Sequence, residues 1–163
     1  VLPPQVGCDL SETDGGVAIL NDGKYGVGFL ENQISLSLLR SPIRPDVTAD
    51  MGHHSFCYRI VPHAGGPVQA GINRRALQFN QPPIKSDVAY SGTDFAPLYL
   101  QAMKFSEDGK RIVVRLSEQD GRRGTLRLPR KVQVLNMLED VERETDSVDY
   151  TPFEILTLGW PVE

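Results

Sequence analysis

Short runs in which apolar and polar residues alternate, cut at close intervals by turn residues, confine this chain to strands. Ile34, Leu36 and Leu38 share one side of a period-two run, and Gln33, Ser35 and Ser37 share the other. That is the pattern of a strand with one face on a core and one in water. Phe56, Tyr58 and Ile60 read the same way, as do Val132 and Val134 against Lys131 and Gln133, and Leu126 and Leu128 against Arg127. Ile112, Val113 and Val114 are apolar on both sides, which suits a central strand. Between the runs stand Asn21-Asp22-Gly23, Glu31-Asn32, Asp108-Gly109 and Asp120-Gly121, read here as hairpin turns.

One stretch breaks the rule. Val68, Ile72 and Ala76 recur every fourth residue, bounded by Gly65-Gly66-Pro67 and Pro82-Pro83, and predict a short helix. The Pro- and Gly-containing passage from Asn80 to Gly92 follows, and new strands begin near Leu98, so the chain is divided at residues 1–97 and 98–163. The acidic passage from Glu139 to Asp149 is expected to be an exposed strand end or loop, because like charges repel and seek solvent. The expected fold is all-β with one short helix, as two stacked sheets or two small sandwiches.

Composition narrows the function classes. With 163 residues and a net charge of −4, the chain has no generally basic surface, so neither nucleic acid nor an anionic membrane is an expected partner. Cys8 and Cys57 are too few for a disulfide framework or a zinc cage and favour a reducing, cytoplasmic setting. No apolar run is long enough to span a bilayer, the start lacks a signal-peptide pattern, and the absence of an initial Met suggests a piece of something longer.

Candidate chemistry is sparse. His53, His54, Cys57 and His63 carry metal-binding groups, but on a strand His53 and Cys57 face one side and His54 the other, so three ligands do not converge. His54 and His63 are read as histidines tying two groups together, and His53 as exposed. Asp46 with Asp50, and Asp87 with Asp94, can be paired on paper, but 21 acidic residues generate such pairs by chance. Arg115 and Glu118 are assigned an ion pair beside the Asp120-Gly121 turn, and Phe153, Ile155 and Leu158 a place in the core. The single Trp160 and an aromatic content of 7% supply no ring platform for stacking sugars.

Three segments, in order, resemble a known family. The first is Asp9-Leu10-Ser11-Glu12 with Gly16-Val17-Ala18-Ile19-Leu20-Asn21-Asp22-Gly23-Lys24-Tyr25-Gly26. Next comes Ile34 to Pro42, then Pro45-Asp46, Ala49-Asp50, and Gly52, His54, Phe56 and Tyr58 leading to Pro62-His63-Ala64-Gly65. The third pairs Arg115, Glu118 and Gly121 with Pro152-Phe153-Glu154-Ile155 and Thr157. Together they resemble the C-terminal β-sandwich region of the glycoside hydrolase family 38 α-mannosidases. The sequence departs from that pattern at Gly7-Cys8, where the family commonly has a Trp, and at Gly23, where Cys is frequent.

The resemblance implies a β-sandwich that is part of a larger supersandwich, followed by a small terminal β-domain. It implies a parent enzyme that removes terminal α-mannose from oligosaccharides with retention, using two carboxylates and a zinc ion held in an N-terminal catalytic domain. No motif of that domain occurs here, so no catalytic or metal-binding residue is assigned. The role implied is scaffold, pocket wall and oligomer contact. Asn21, Asp22, Lys24, Tyr25, Arg40, Asp46 and His54 are the residues expected to face the catalytic domain or wall the sugar pocket. The implied partners are that domain, a mannose-containing oligosaccharide and a possible second copy. Surface that packs on the absent domain should leave an exposed apolar patch or a dimer contact. The alternative is an independent carbohydrate-binding β-sandwich module.

Overall fold

The structure is a computed structural model that describes residues 7–81 and 94–162. The described residues are all-β apart from one helix, and the chain divides into two units, Val1–Lys85 and Ser86–Glu163.

In the first unit, β1 (Gly7–Ser11), β2 (Gly15–Asn21) and β5 (Tyr58–Ala64) form an antiparallel sheet in the order β1-β2-β5. A separate hairpin joins β3 (Val27–Leu30) to β4 (Gln33–Leu36) through the expected Glu31-Asn32 turn. Ala18, Leu20 and Val61 of the sheet pack with Ile72 and Ala76 of helix α1 (Ile72–Asn80). The four-residue period thus locates the helix face correctly. The helix starts at Ile72 rather than at Val68, because Gly71 holds the left-handed conformation, φ 63°. Pro82-Pro83 and most of the passage from Asn80 to Gly92 lie outside the described residues.

β5 departs from the sequence reading in phase. Val61 is buried, whereas Tyr58 and Ile60 are exposed. The core-facing positions are those opposite Ala18 and Gly16, namely Val61 and His63, so Tyr58 and Ile60 occupy the other face. On the inner face Gly16 lies between Ser11 and His63 in the ladder, and a Cβ there would stand 2.3 Å from the Cβ of Ser11. Across this narrow strand His63 Nε2 meets Asp9 Oδ2 at 2.6 Å, Ser11 Oγ donates to Asp9 Oδ1 at 2.7 Å, and His63 Nδ1 lies 3.0 Å from the Gly65 carbonyl. His63 therefore ties β5 to β1, as the two-group reading anticipated.

The second unit is one antiparallel sheet in the order β6-β7-β10-β8-β9, from β6 (Tyr99–Phe105), β7 (Arg111–Ser117), β8 (Gly124–Leu135), β9 (Val141–Tyr150) and β10 (Ile155–Pro161). Asp108-Gly109 closes the β6–β7 hairpin. Asp120-Gly121 is not a hairpin turn, because β10 inserts between β7 and β8 and pairs with both. Asn21-Asp22-Gly23 likewise leads out of one sheet into the β3–β4 hairpin.

The core of this unit gathers Leu98, Val114, Leu116, Leu126, Leu128, Val132, Val134, Val148, Tyr150, Leu156 and Leu158, with Phe95 and Trp160 against it. Val113 and Val114 are both 2% exposed, as a central strand requires. Register between β8 and β9 breaks from Arg127 to Val132, around Pro129, which has no N–H for a ladder. The acidic passage forms β9 itself, a mostly exposed edge strand rather than a strand end or loop.

Two expectations fail at the terminal strand. Leu158 is buried, but Phe153 is 66% and Ile155 52% exposed. The inward row on β10 is Leu156, Leu158 and Trp160, which sets Ile155 on the other face, and Phe153 sits in a turn at φ 63°. Nor do Arg115 and Glu118 pair: Arg115 Nε donates to Thr157 Oγ1 at 3.3 Å, while Glu118 is taken up by backbone amides.

Candidate functional site

The chain leaving β2 is held by two side-chain oxygens. Asn21 is fully buried, and its Oδ1 accepts the N–H groups of Gly23 at 2.9 Å and Lys24 at 2.6 Å. This is the turn chemistry of an Asx residue. Asp22 continues the β2–β5 pairing past the strand ends, its N–H donating to the Cys57 carbonyl at 3.2 Å and its Oδ2 accepting the Cys57 N–H at 2.9 Å. From the helix side, Asn80 Nδ2 donates to the Asn21 carbonyl at 3.0 Å. Asn21 and Asp22 thus set the direction in which Lys24 and Tyr25 leave the sheet.

A second anchor shapes the long connection from β4 to β5. Asp50 Oδ2 accepts the N–H groups of Ser41 at 2.6 Å and Arg40 at 3.1 Å, across about a ten-residue loop. The Ser41 amide, then that of Arg40, lowers the Asp50 pKa, with smaller help from His54 and Lys24 against desolvation. The Asp50 carbonyl lies 3.0 Å from His54 Nε2. The His54 ring stacks on Phe56 with centroids 6.1 Å apart, and the Lys24 ammonium sits 4.6 Å from the centroid of Phe56.

These anchors enclose an open concavity of about 390 Å³ lined by Lys24, Tyr25, Leu38, Arg40, Asp50 and His54 among others. The structure therefore brings together four of the seven expected site residues, Lys24, Tyr25, Arg40 and His54, with Asn21 and Asp22 beneath as supports. Asp46 stands apart: its Oδ1 accepts the Thr48 Oγ1–H at 2.7 Å and N–H at 2.8 Å, which lowers its pKa and makes it a cap of its own turn. Phe56 and the organising role of Asp50 were not singled out from sequence. The signal available for Asp50 was its position ten residues after Arg40, which nothing local identifies as a contact.

Chemically the concavity offers donors: an ammonium, a guanidinium and a phenol. Its carboxylate, Asp50, is committed to two amides, and Asp46 is committed to Thr48. Asp87 lies outside the described residues, and Asp94 Oδ1 accepts the N–H of Ala96. Donors of this kind match the acceptors of oxygen-rich ligands in chemistry, and among the described residues the concavity holds no assembled pair of acids. Among the described residues no group of three His, Cys, Asp or Glu is placed to hold a metal. Cys8 is buried, Cys57 is exposed, and His63 is engaged by Asp9 and Gly65. No helix among the described residues is long and apolar enough to cross a membrane.

Comparison with known proteins bears on the family of the chain. Residues 2–48 match the glycosyl hydrolases family 38 C-terminal domain, and residues 97–158 match the glycosyl hydrolases family 38 C-terminal beta sandwich domain. Alpha-mannosidase G of Dictyostelium discoideum is 34% identical over 91% of this chain and 16% of its own length. Alpha-mannosidase 2C1 of Homo sapiens is 34% identical over 92% of this chain and 17% of its own length. Alpha-mannosidase of Saccharomyces cerevisiae reaches 56% over 72 residues, 44% of this chain and 7% of its own length. The chain spans about a sixth of the first two relatives. With both family domains present in order and the relatives aligned over most of its length, the chain belongs to the C-terminal region of the glycosyl hydrolase family 38 α-mannosidases.

Proposed function

We propose that this chain is the non-catalytic part of an α-mannosidase, serving as scaffold, wall of the sugar pocket and subunit contact for a catalytic domain carried elsewhere in the polypeptide. The parent activity in this reading is metal-dependent, retaining hydrolysis of terminal α-mannosides during oligosaccharide breakdown in the cytoplasm. Zinc belongs to that catalytic domain. The observation that carries the reading is the concavity of Lys24, Tyr25, Arg40 and His54, the first three of which lie in the segment shared with the family, lined by hydrogen-bond donors without an assembled acid pair among the described residues. Donors of this kind suit sugar hydroxyls, and a wall residue acts on affinity and orientation rather than on bond cleavage.

Exposed apolar side chains support the scaffold role. Phe29, Leu30, Ile43 and Met51 in the first unit and Leu100, Met103 and Phe105 in the second are each about half exposed or more. Surfaces of this kind mark contacts with another domain or subunit.

The test is hydrolysis of an aryl α-mannoside by this chain alone and by the chain joined to its catalytic domain, with Lys24→Ala and Arg40→Ala in the joined protein. The reading expects no turnover by the chain alone. In the joined protein each substitution should lower kcat/KM by about ten- to a hundredfold, the loss of one hydrogen bond from a charged donor. Turnover by the isolated chain, or substitutions without effect, would overturn it.

A further inference from the structure

A second concavity, independent of the pocket-wall reading, lies between helix α1 and the outer edge of β5. It holds about 550 Å³ and is floored by Leu20, Val61 and Phe79, with Arg59, Arg75 and Gln78 around it. β5 pairs with β2 on one side and with no other described strand.

The hydrogen-bond phase says which groups are free. The Asp22 N–H donates to the Cys57 carbonyl, so Cys57 turns its backbone toward β2, and in an antiparallel ladder so do Arg59, Val61 and His63. Tyr58, Ile60, Pro62 and Ala64 then direct their backbone groups to the open edge. Pro62, which has no N–H, is tolerated there for that reason.

The flanking charges are of one sign. Arg59 lies over the Phe79 ring at 5.3 Å, and neither Arg59 nor Arg75 has a carboxylate partner among the described residues. No acidic residue lines the concavity. Among the described residues, a strand edge without a second partner beside a helix, an apolar floor and two guanidiniums without a carboxylate partner together fit one kind of occupant.

We propose that this groove receives an extended peptide segment carrying carboxylates at alternate positions, which adds to the sheet beside β5 as a fourth strand. Alternate side chains of an added strand point to one face. Those opposite Arg59 and Val61 face helix α1, where carboxylates meet Arg59 and Arg75 in the bidentate geometry that guanidinium favours. The remaining positions face outward with Ile60 and Pro62. A small anion would use the guanidiniums but leave the strand edge unpaired.

The test is fluorescence anisotropy with a fluorescein-labelled hexapeptide alternating glutamate and valine, titrated with this chain at low salt. Three companions accompany it: the glutamine counterpart, the same peptide methylated on alternate backbone amides, and the chain with Arg59→Ser and Arg75→Ser. Each should weaken binding at least tenfold. The methylated peptide needs no altered protein, so a variant that fails to fold leaves the test intact. Absent binding, or equal binding by the methylated peptide with displacement by inorganic phosphate, would reduce the groove to an anion site and overturn the proposal. Self-association of the chain that the two serine substitutions abolish, with no peptide binding, would overturn it in favour of a second copy.

Discussion

Glu118 follows β7 in the connection that leads to β8, only 5% exposed, and its carboxylate joins two irregular segments that the sheet itself does not hold. Oε1 accepts the Asp120 N–H at 2.9 Å, and Oε2 accepts those of Gly121 at 2.9 Å and Phe153 at 3.0 Å. Burial raises its pKa, but the amides of Phe153, Arg122, Asp120 and Gly121 outweigh that effect and hold it below the ordinary glutamate value. Glu118→Gln keeps the shape and turns one acceptor into a donor. The amide oxygen is best kept by Gly121 and Phe153, which sets an NH₂ against the Asp120 N–H and leaves both unsatisfied. Losing one charged hydrogen bond and orphaning a buried donor costs about 2 kcal/mol.

Trp160 is the only tryptophan and packs on the core of this unit, so its fluorescence during urea unfolding reports on the unit containing Glu118. With a urea dependence of about 1 kcal/mol per molar for a unit of this size, the midpoint should fall by roughly 1–2 M at pH 7. A lowered folded-state pKa contributes stability above the unfolded value, about 4.3, and loses it as the pH falls through the folded value. Wild type and variant should therefore converge as the pH drops below about 4. Midpoints within about 0.3 M of each other at pH 7, or a gap that widens in acid, would refute the account.

The first unit offers three further tests. Gly16→Ala places a methyl group 2.3 Å from the Cβ of Ser11 and 2.8 Å from the Leu10 carbonyl, and should destabilise the unit by about 3 kcal/mol. Hydrogen exchange at Ala18 and Val61 reads that loss, and unchanged protection would contradict it. The Asp50 carboxyl, held low by the Ser41 and Arg40 amides, keeps those bonds above the ordinary aspartate range and loses them as the pH falls through its folded value. The Ser41 amide shift should titrate with a midpoint under about 3.9, and a higher midpoint would be inconsistent with the anchored loop. Burial, followed by the nearby Asp9 charge, raises the Cys8 thiol despite a bond from the Ile19 backbone, whereas Cys57 is exposed. A maleimide should therefore label one cysteine rapidly, and Cys57→Ser should abolish that phase while Cys8→Ser leaves it.

Alternation made a strand legible where one face meets a core and the other meets water, as on β8. It misled on β5. Tyr58 and Ile60 look like the apolar row, but the face that meets α1 carries the smaller Val61 and the polar His63. His63 and Asp9 are both largely removed from water, with side chains 3% and 9% exposed. Two polar groups that satisfy each other across β2 are invisible to a pattern of apolar residues, because the pairing joins positions 54 residues apart. The same blindness assigned Phe153 and Ile155 to the core. Position along β10 sets which residues point inward, and that register comes from β7 and β8 rather than from the strand's own sequence.

Turn chemistry was legible as chemistry but not as topology. Asn-Asp-Gly and Asp-Gly were correctly marked as places where the chain bends, and two of the four turns close hairpins. The other two carry the chain out of its sheet. There the strand just finished is flanked by partners that arrive later in the sequence, β5 beside β2 and β10 beside β7. At both exits a side-chain carboxylate binds backbone N–H groups from the late partner's approach: Asp22 that of Cys57, Glu118 that of Phe153. A hairpin turn needs only its own residues, whereas an exit turn needs an acceptor for an amide that comes 35 residues later. Asn21 and Asp22 are therefore structural in their side chains. By fixing the exit from β2 they set the direction in which Lys24 and Tyr25 leave the sheet, so a substitution at either should change the shape of the concavity even though neither residue lines it.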